Sequence, residues 1–311
     1  MFNVKKKIIS IILLFAVLAA GASAVFAEDA VTIKMLFKLL PEKVLKPIFD
    51  NFNLDTARRD SYIEVCDEEN RYLSLKSEYG FEMCYWDVKG GKKLILVSYS
   101  GTYPELFYLY SKGKISETED FGIKALKEHI KKSPVLGAMD NWICLYPPRQ
   151  GTSLVVIINQ LDCLIFKWKN EKFVCLDSYM AEVVNGGAYT YSTLQEGFVK
   201  ALNDHDMDAC LQYIKPDYIA AQCMAMLDGR VEQFICELIA GQNDKSEYIE
   251  PDSLKNIKKA SYSLDFDASN ANSDFIIIIE LTDGRTYTYF PVLEETIVDG
   301  QRILHLVGAM G

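Results

Sequence analysis

The sequence predicts an α+β protein built in two parts. Residues 28–187 are expected to form an N-terminal antiparallel β-rich domain with helical additions. Residues 188–311 are expected to form a second α+β domain, in which helices pack on a curved antiparallel sheet. Three observations predict this fold: helical periodicity at the start of each part, short β-type runs between turn residues after it, and a flexible Asn185-Gly186-Gly187-Ala188 stretch at the join. A mature chain of roughly 285 residues is also longer than one usual hydrophobic core.

The first 27 residues have the composition of a secretory signal peptide. A basic segment, Lys5 to Lys7, precedes an apolar run from Ile8 to Ala20, and small residues follow as far as Ala27. The run is about a dozen residues long, whereas a membrane-spanning helix needs roughly 20. We therefore expect cleavage after Ala24 or Ala27 and a secreted or extracytoplasmic protein of the cell envelope, with no membrane span after cleavage. The alternative is an uncleaved membrane anchor.

The N-terminal part begins with helix and continues with strands. An apolar stripe at helical spacing runs from Ile33 to Leu40, and Pro41 suits the first turn of a second helix. A later helix is predicted over Phe121–Lys132. The predicted strands are Tyr62–Cys66, Arg71–Ser77, Phe81–Asp87, Lys92–Ser100, Glu105–Ser111, Trp142–Tyr146, Ser153–Asn159, Leu161–Trp168 and Phe173–Asp177. This order predicts an antiparallel sheet or sandwich.

The C-terminal part repeats the order of helices followed by strands. Ser192 to Gln195 fits a capping box at the start of the first helix, whose apolar face carries Leu194, Phe198 and Leu202. Further helices are predicted over Met207–Ile214, from Pro216 onward, and over Val231–Leu238. The predicted strands are Ile257–Phe266, Phe275–Thr282, Arg285–Val292 and Arg302–Val307.

Charge argues against nucleic acid as a partner. The whole chain carries a net charge of −10, and from Ala188 onward 9 Lys and Arg stand against 20 Asp and Glu, a net charge of −11. Such a surface repels phosphate backbones.

Cysteine content is even, with eight in the chain, and an exported protein can form disulfides. A predicted hairpin, however, sets Trp168 opposite Phe173, which leaves Cys163 and Cys175 three residues out of register on opposite faces. We expect most of these thiols to be small buried side chains, and one long-range bridge stays open.

Asp204, Asp206 and Asp208 alternate in the stretch NDHDMDAC and invite comparison with a calcium loop. Such a loop needs Gly at its sixth position and Glu at its twelfth, where this chain has Ala209 and Lys215. We therefore interpret the three carboxylates as helix caps that also favour the helix dipole. The histidines show no metal-binding spacing and no Gly-x-Ser-x-Gly is present, so neither a metal nor a cofactor is predicted.

Asp283-Gly284 predicts a two-residue hairpin turn that pairs Thr282 with Arg285. In that register Glu280 lies beside Tyr287 and on the same sheet face as Tyr289, where a carboxylate and two phenols could line a polar pocket. His305 alternates with apolar neighbours and is expected to face a core or cavity. The candidate ligand-binding residues are therefore Glu280, Tyr287, Tyr289 and His305. In the alternative, this sheet face is exposed to water or is the contact surface of a homodimer.

From Thr193 to Met310 the predicted order of elements, helices followed by antiparallel strands, is similar to that of the nuclear transport factor 2-like, or cystatin-like, cup superfamily. The segment from Gln195 to Ala209 resembles the first helix, loop and second helix of that family, and Val298 to Ile303 resembles its last turn without the usual tryptophan. The resemblance implies a cup that can hold a small ligand, and in some members an acid–base carboxylate and phenol inside the cup. The first part, with Glu82 to Val88, looks like secreted bacterial domains of unknown function.

We therefore expect an exported bacterial binding or interaction protein without catalytic activity. Its partner would be a small ligand, a glycan or an extracellular protein. The alternative is a cofactor-free lyase or isomerase that uses Glu280 with Tyr287 or Tyr289, and a buried Glu280 would favour it.

Overall fold

The structure of the protein is a computed structural model, in which helices and antiparallel sheets together form an α+β fold. It describes residues 31–99, 102–136, 142–176, 182–184, 193–222, 226, 229–263, 275–298 and 301–309. The predicted signal peptide, the predicted boundary stretch 185–188 and the capping residue Ser192 lie outside the described residues. The α+β prediction is confirmed.

The first half begins with two helices that cover one face of a six-stranded antiparallel sheet. The helices are α1 (Ile33–Leu39) and α2 (Glu42–Asn51). The strands follow one another in the sheet in chain order: β1 (Ile63–Asp67), β2 (Tyr72–Leu75), β3 (Phe81–Val88), β4 (Lys92–Tyr99), β5 (Thr102–Ser111) and β6 (Lys114–Glu117).

A second, four-stranded sheet packs on the other face of the first sheet. It contains β7 (Ile143–Tyr146), β8 (Leu154–Ile158), β9 (Asp162–Lys169) and β10 (Lys172–Cys175), and α3 (Ile123–Lys131) lies beside it. Trp168 pairs with Phe173, as predicted. The first half is therefore a sandwich of two antiparallel sheets, with helices on its outer side and at its edge.

In the described part of the second half there are four α-helices and two further sheets. In chain order the elements are β11 (Glu182–Val184), α4 (Val199–Asn203), α5 (Met207–Cys210), α6 (Pro216–Ala221), α7 (Val231–Leu238), β12 (Gly241–Gln242), β13 (Tyr248–Ile249), β14 (Ile257–Ser263), β15 (Ile276–Leu281), β16 (Thr286–Tyr289), β17 (Pro291–Val298) and β18 (Gln301–Ala309). A π-helical turn, Thr193–Phe198, leads into α4.

The strands of the second half are divided between two antiparallel sheets, whereas a single curved sheet was predicted. The order β13-β12-β16-β15-β14 forms a five-stranded sheet, and β11-β18-β17 forms a three-stranded sheet. The prediction merged β16 and β17 into one strand, but Phe290 separates them and their partners differ. β11 precedes residue 188 and pairs with β18. A strand of the predicted first part therefore belongs to a sheet of the predicted second part.

Three hydrophobic clusters fill the spaces between these layers. One lies between α1, α2 and the six-stranded sheet, and a second lies between the six- and four-stranded sheets. The third contains the opposite face of the four-stranded sheet, including Val155 and Ile157, together with α4 to α7 and the inner face of the five-stranded sheet. The four-stranded sheet is therefore buried on both faces, and the two predicted parts meet in one continuous core. The domain boundary itself stays a prediction.

The β15–β16 hairpin differs from its predicted register by one residue. Ile279 pairs with Tyr287 and Glu280 with Thr286. The turn contains three residues, because Leu281 N–H donates to Arg285 O (2.8 Å) and Gly284 N–H donates to Leu281 O (3.0 Å). Within the turn only Gly284 has a positive φ, of 89°. This is a type I turn with a glycine bulge, whereas a two-residue type I′ turn needs positive φ at both central residues.

Seven cysteines lie among the described residues, and all seven are free thiols. Five of them are buried, namely Cys84, Cys144, Cys163, Cys210 and Cys236, which confirms the prediction that most thiols are buried. Cys223 lies outside the described residues. Among the described helices none is both long and apolar enough to span a bilayer.

Candidate functional site

The structure separates the predicted carboxylate from the predicted phenols. A one-residue shift in strand register moves a side chain to the other face of a sheet. Tyr287 and Tyr289 therefore face the core with Ile277 and Ile279, whereas Glu280 lies on the outer face, where Lys258 Nζ is 2.5 Å from its carboxylate. The predicted grouping of Glu280 with the two tyrosines is wrong, because the turn has three residues instead of two.

Both tyrosines are parts of the core. Tyr289 donates a hydrogen bond to Gly308 O (3.1 Å), and Tyr287 is only 1% exposed. Burial raises the pKa of both phenols well above the ordinary value, so that both stay neutral across the physiological range. A neutral phenol inside the core can donate a hydrogen bond but does not serve as a base.

His305 is buried, as predicted, with 8% of its surface exposed. It pairs across the strands with Glu294, and Lys215 lies nearby in ion pairs with Glu294 and with Asp217 (3.0 Å). Burial, reinforced by the positive charge of Lys215, lowers the pKa of His305 below its ordinary value. The imidazole is therefore neutral at neutral pH, and among the described residues its Nδ1 has no hydrogen-bond partner.

The three alternating aspartates have three different roles. Asp206 caps α5 by accepting a hydrogen bond from Ala209 N–H (2.9 Å), which confirms the predicted cap. Asp204 forms an exposed ion pair with Lys200. Asp208 instead reaches the loop before β8, where it accepts from the backbone and hydroxyl of Thr152 (both 3.0 Å) and from Ser153 N–H (3.1 Å). The prediction that Asp208 caps a helix is therefore wrong, because its carboxylate bonds to the other half instead. Asp208 does lie in the first turn of α5, where a negative charge favours the helix dipole as predicted.

An open polar pocket of about 400 Å³ lies where the two halves meet, and we call it the seam pocket. The first half contributes the end of β1 with the turn after it and residues that follow β7, and the second half contributes the start of α7 and the turn before β14. The described residues that line it are Asp67, Asn70, Arg149, Gln150, Gly229, Arg230, Glu232, Gln233, Asp252, Ser253 and Lys255. Among these described residues, three side chains are anionic and three are cationic.

A buried contact fixes the geometry of the seam pocket. Glu82 is 6% exposed and accepts hydrogen bonds from the Tyr72 hydroxyl (2.6 Å) and from Gly229 N–H (2.8 Å). The backbone of Gly229 has a φ of 70°, and an added Cβ would lie 2.7 Å from the Arg149 Cβ and 3.0 Å from the Tyr72 ring. Only glycine allows this approach without displacement, so Gly229 brings the second half directly against Arg149.

Part of the pocket is held rigidly by internal hydrogen bonds. Asp67 accepts from Asn70 and from Arg149 Nε (3.0 Å), and despite partial burial these bonds lower the pKa of Asp67. Glu232 accepts from the Ser253 hydroxyl (2.8 Å) and from a backbone N–H. These pairs fix the walls of the pocket.

Other polar groups of the seam pocket are available to a ligand. Within the part of the chain that the structure describes, Lys255 Nζ and the Asp252 carboxylate have no hydrogen-bond or ion-pair partner, and the buried Oε1 of Gln150 also has none. Among the described lining residues, the pocket therefore presents one unpaired positive charge and one unpaired negative charge.

The sequence contained little sign of the seam pocket. Its lining comes from segments up to about 190 positions apart in the chain. Asp228-Gly229 was the one local signal, because an Asp-Gly dipeptide marks a turn, but it does not indicate which distant segment the turn approaches. Among the described residues no group of three or more His, Cys, Asp or Glu side chains is arranged to hold a metal ion.

No family model matches this chain, and no curated protein or solved structure is significantly similar to it. The proposals below therefore depend on the geometry and chemistry of this chain alone.

Proposed function

We propose that this chain is an exported, non-catalytic binding protein and that the seam pocket is its ligand site. The observation that carries the proposal is the pair of unpaired opposite charges, Lys255 and Asp252, in an open pocket of about 400 Å³. Export is supported by the signal-like segment before residue 28. Small-ligand sites are concave and largely pre-formed, and they hold a few polar groups that fix the ligand's orientation.

The chemistry of the lining favours a small ligand that carries both charges, such as a free amino acid or a dipeptide. Lys255 would bind its carboxylate and Asp252 its ammonium group. A glycan is less well matched, because the residues described in this lining include no aromatic side chain on which a sugar ring could stack.

The cup resemblance of the second half remains a proposal. It is supported by helices that precede an antiparallel sheet and pack on its inner face. A lyase or isomerase reaction that uses Glu280 with Tyr287 has no geometric support, since these side chains lie on opposite faces of β15 and β16. Fold resemblance alone does not establish activity.

The proposal is tested by calorimetric titration of the full mature chain. The probes are a set of free L-amino acids, glycylglycine, its N-acetylated and C-amidated form, and neutral oligosaccharides. We expect saturable binding of at least one zwitterionic probe and none of the doubly blocked dipeptide, because blocking removes both charges.

Variants locate the binding site. Lys255→Met should weaken binding about tenfold or more, since removal of one partner of a charge-assisted contact costs about 1.5–3 kcal/mol. Lys245→Met, which removes another exposed lysine outside the pocket, should leave binding unchanged. Binding of the oligosaccharides alone, or equal effects of the two lysine variants, would contradict the proposal.

A further inference from the structure

A second, smaller pocket of about 200 Å³ lies between α6, α7 and β13, and we call it the aromatic pocket. It shares no lining residue with the seam pocket. The residues that line it are Tyr218, Gln222, Phe234, Glu237, Leu238, Ala240 and Tyr248. Three of the seven are aromatic, and one carries a carboxylate.

The aromatic rings form a wall and a rim. Tyr218 and Phe234 pack with ring centroids 6.2 Å apart at an interplanar angle of 38°, and Phe234 is only 3% exposed. Tyr248 is 60% exposed, although it is a large ring on a short strand. Burial raises the pKa of both tyrosines, so the phenols stay neutral and keep the electron-rich ring faces that attract cations.

The surroundings of the aromatic pocket are negative. Glu237 lines it, and within the described residues this carboxylate has no ion-pair partner. Glu250 lies close by, and its pKa is raised by burial and by the charges of Glu237 and Asp252, which shows that these carboxylates act on one another. Among the residues described in the lining there is no Lys or Arg to balance this charge.

We propose that the aromatic pocket binds a small organic cation, such as a quaternary ammonium group. Ring faces attract such a cation without a need for hydrogen bonds, and Glu237 supplies the balancing charge. The volume of about 200 Å³ suits a compact group. The site is independent of the seam pocket, so either proposal can fail without the other.

The test compares two probes that match in shape and differ in charge. Choline and its neutral analogue 3,3-dimethylbutan-1-ol are titrated against the full mature chain, and binding is measured by saturation-transfer NMR and calorimetry. We expect choline to bind at least about tenfold more tightly, because cation–π attraction and a nearby carboxylate both act on the charge. Equal affinities for the two probes would show that the pocket binds any apolar group of this shape, and they would overturn the proposal. An absence of saturable choline binding would also overturn it.

Variants place the cation in this pocket. Glu237→Gln and Tyr248→Ala should each weaken choline binding about three- to tenfold. Both side chains are exposed, so neither change removes core packing. The matched controls are Glu128→Gln, on α3 of the first half, and Tyr262→Ala, another exposed tyrosine. Unchanged choline binding in both pocket variants, or equal losses in the control variants, would overturn the assignment. Lys255→Met, in the seam pocket, should have no effect on choline binding.

Discussion

Replacement of Gly229 by alanine is the most direct perturbation of the contact between the two halves. Gly229 has a φ of 70°, and its N–H donates to the buried Glu82. An added Cβ would lie 2.7 Å from the Arg149 Cβ and 3.0 Å from the ring of the fully buried Tyr72. Neither neighbour is the free end of a flexible side chain, so the backbone or the ring must move.

The expected loss of stability has two parts. A left-handed backbone conformation costs an L-residue about 1 kcal/mol. Overpacking a close contact costs a further 1–3 kcal/mol or so. Gly229→Ala should therefore lower the free energy of unfolding by about 2–4 kcal/mol.

Urea unfolding followed by circular dichroism measures this loss, and Gly113→Ala is the matched control. Gly113 has a similar φ of 77°, but an added Cβ there meets nothing within 4 Å. The control should lose only the conformational part, about 1 kcal/mol. Equal losses in the two variants would refute the close approach at the seam. The comparison requires the same urea slope in both variants, because a changed slope reports altered compactness or a loss of two-state unfolding.

Three further predictions test the helix cap, the buried histidine and the thiols. Asp206→Ala should lower the free energy of unfolding by about 1 kcal/mol through loss of the α5 cap, whereas Asp204→Ala, which removes only an exposed ion pair, should change it by less than about 0.5 kcal/mol. The folded-state pKa of His305 lies below the ordinary value of 6.5, so its contribution to stability is present above pH 6.5 and declines as pH falls towards the folded-state pKa. The free energy of unfolding, measured across this pH range, should depend less on pH in His305→Gln than in the unchanged protein. The same pH dependence in both proteins would refute the lowered pKa of His305. Ellman's reagent should label Cys66 faster than the buried thiols, and a fast phase that persists at full size in Cys66→Ser would contradict this.

Periodic patterns predicted the elements that depend on local packing. The stripe on α7, formed by Val231, Phe234, Ile235 and Leu238, is buried throughout. The β9–β10 hairpin has its predicted register, because Asn170 and Glu171 both adopt positive φ and form a two-residue turn. In both cases the residues that decide the structure are neighbours in the chain.

Periodic patterns did not predict the long-range contacts or the type of the β15–β16 turn. Asp283 could have entered either kind of turn, and its side chain bonds to Arg285 in the three-residue form that the structure adopts. That single difference moves Glu280 to the outer face and separates it from Tyr287 and Tyr289. The bonds from Asp208 to the β7–β8 loop and from Gly229 to Glu82 join positions more than 50 and 140 residues apart, which no local pattern encodes.

Native-state hydrogen exchange, measured across a series of urea concentrations, tests most directly the claim that the two halves meet in one core. The amides to compare are those of β8, in the first half, and β15, in the second. Because both strands belong to the same hydrophobic cluster, we predict the same free energy of opening and the same dependence on urea for both sets. If β8 opened with a clearly lower free energy and a smaller urea slope while β15 stayed protected, the halves would be separate units, and the shared core would be contradicted.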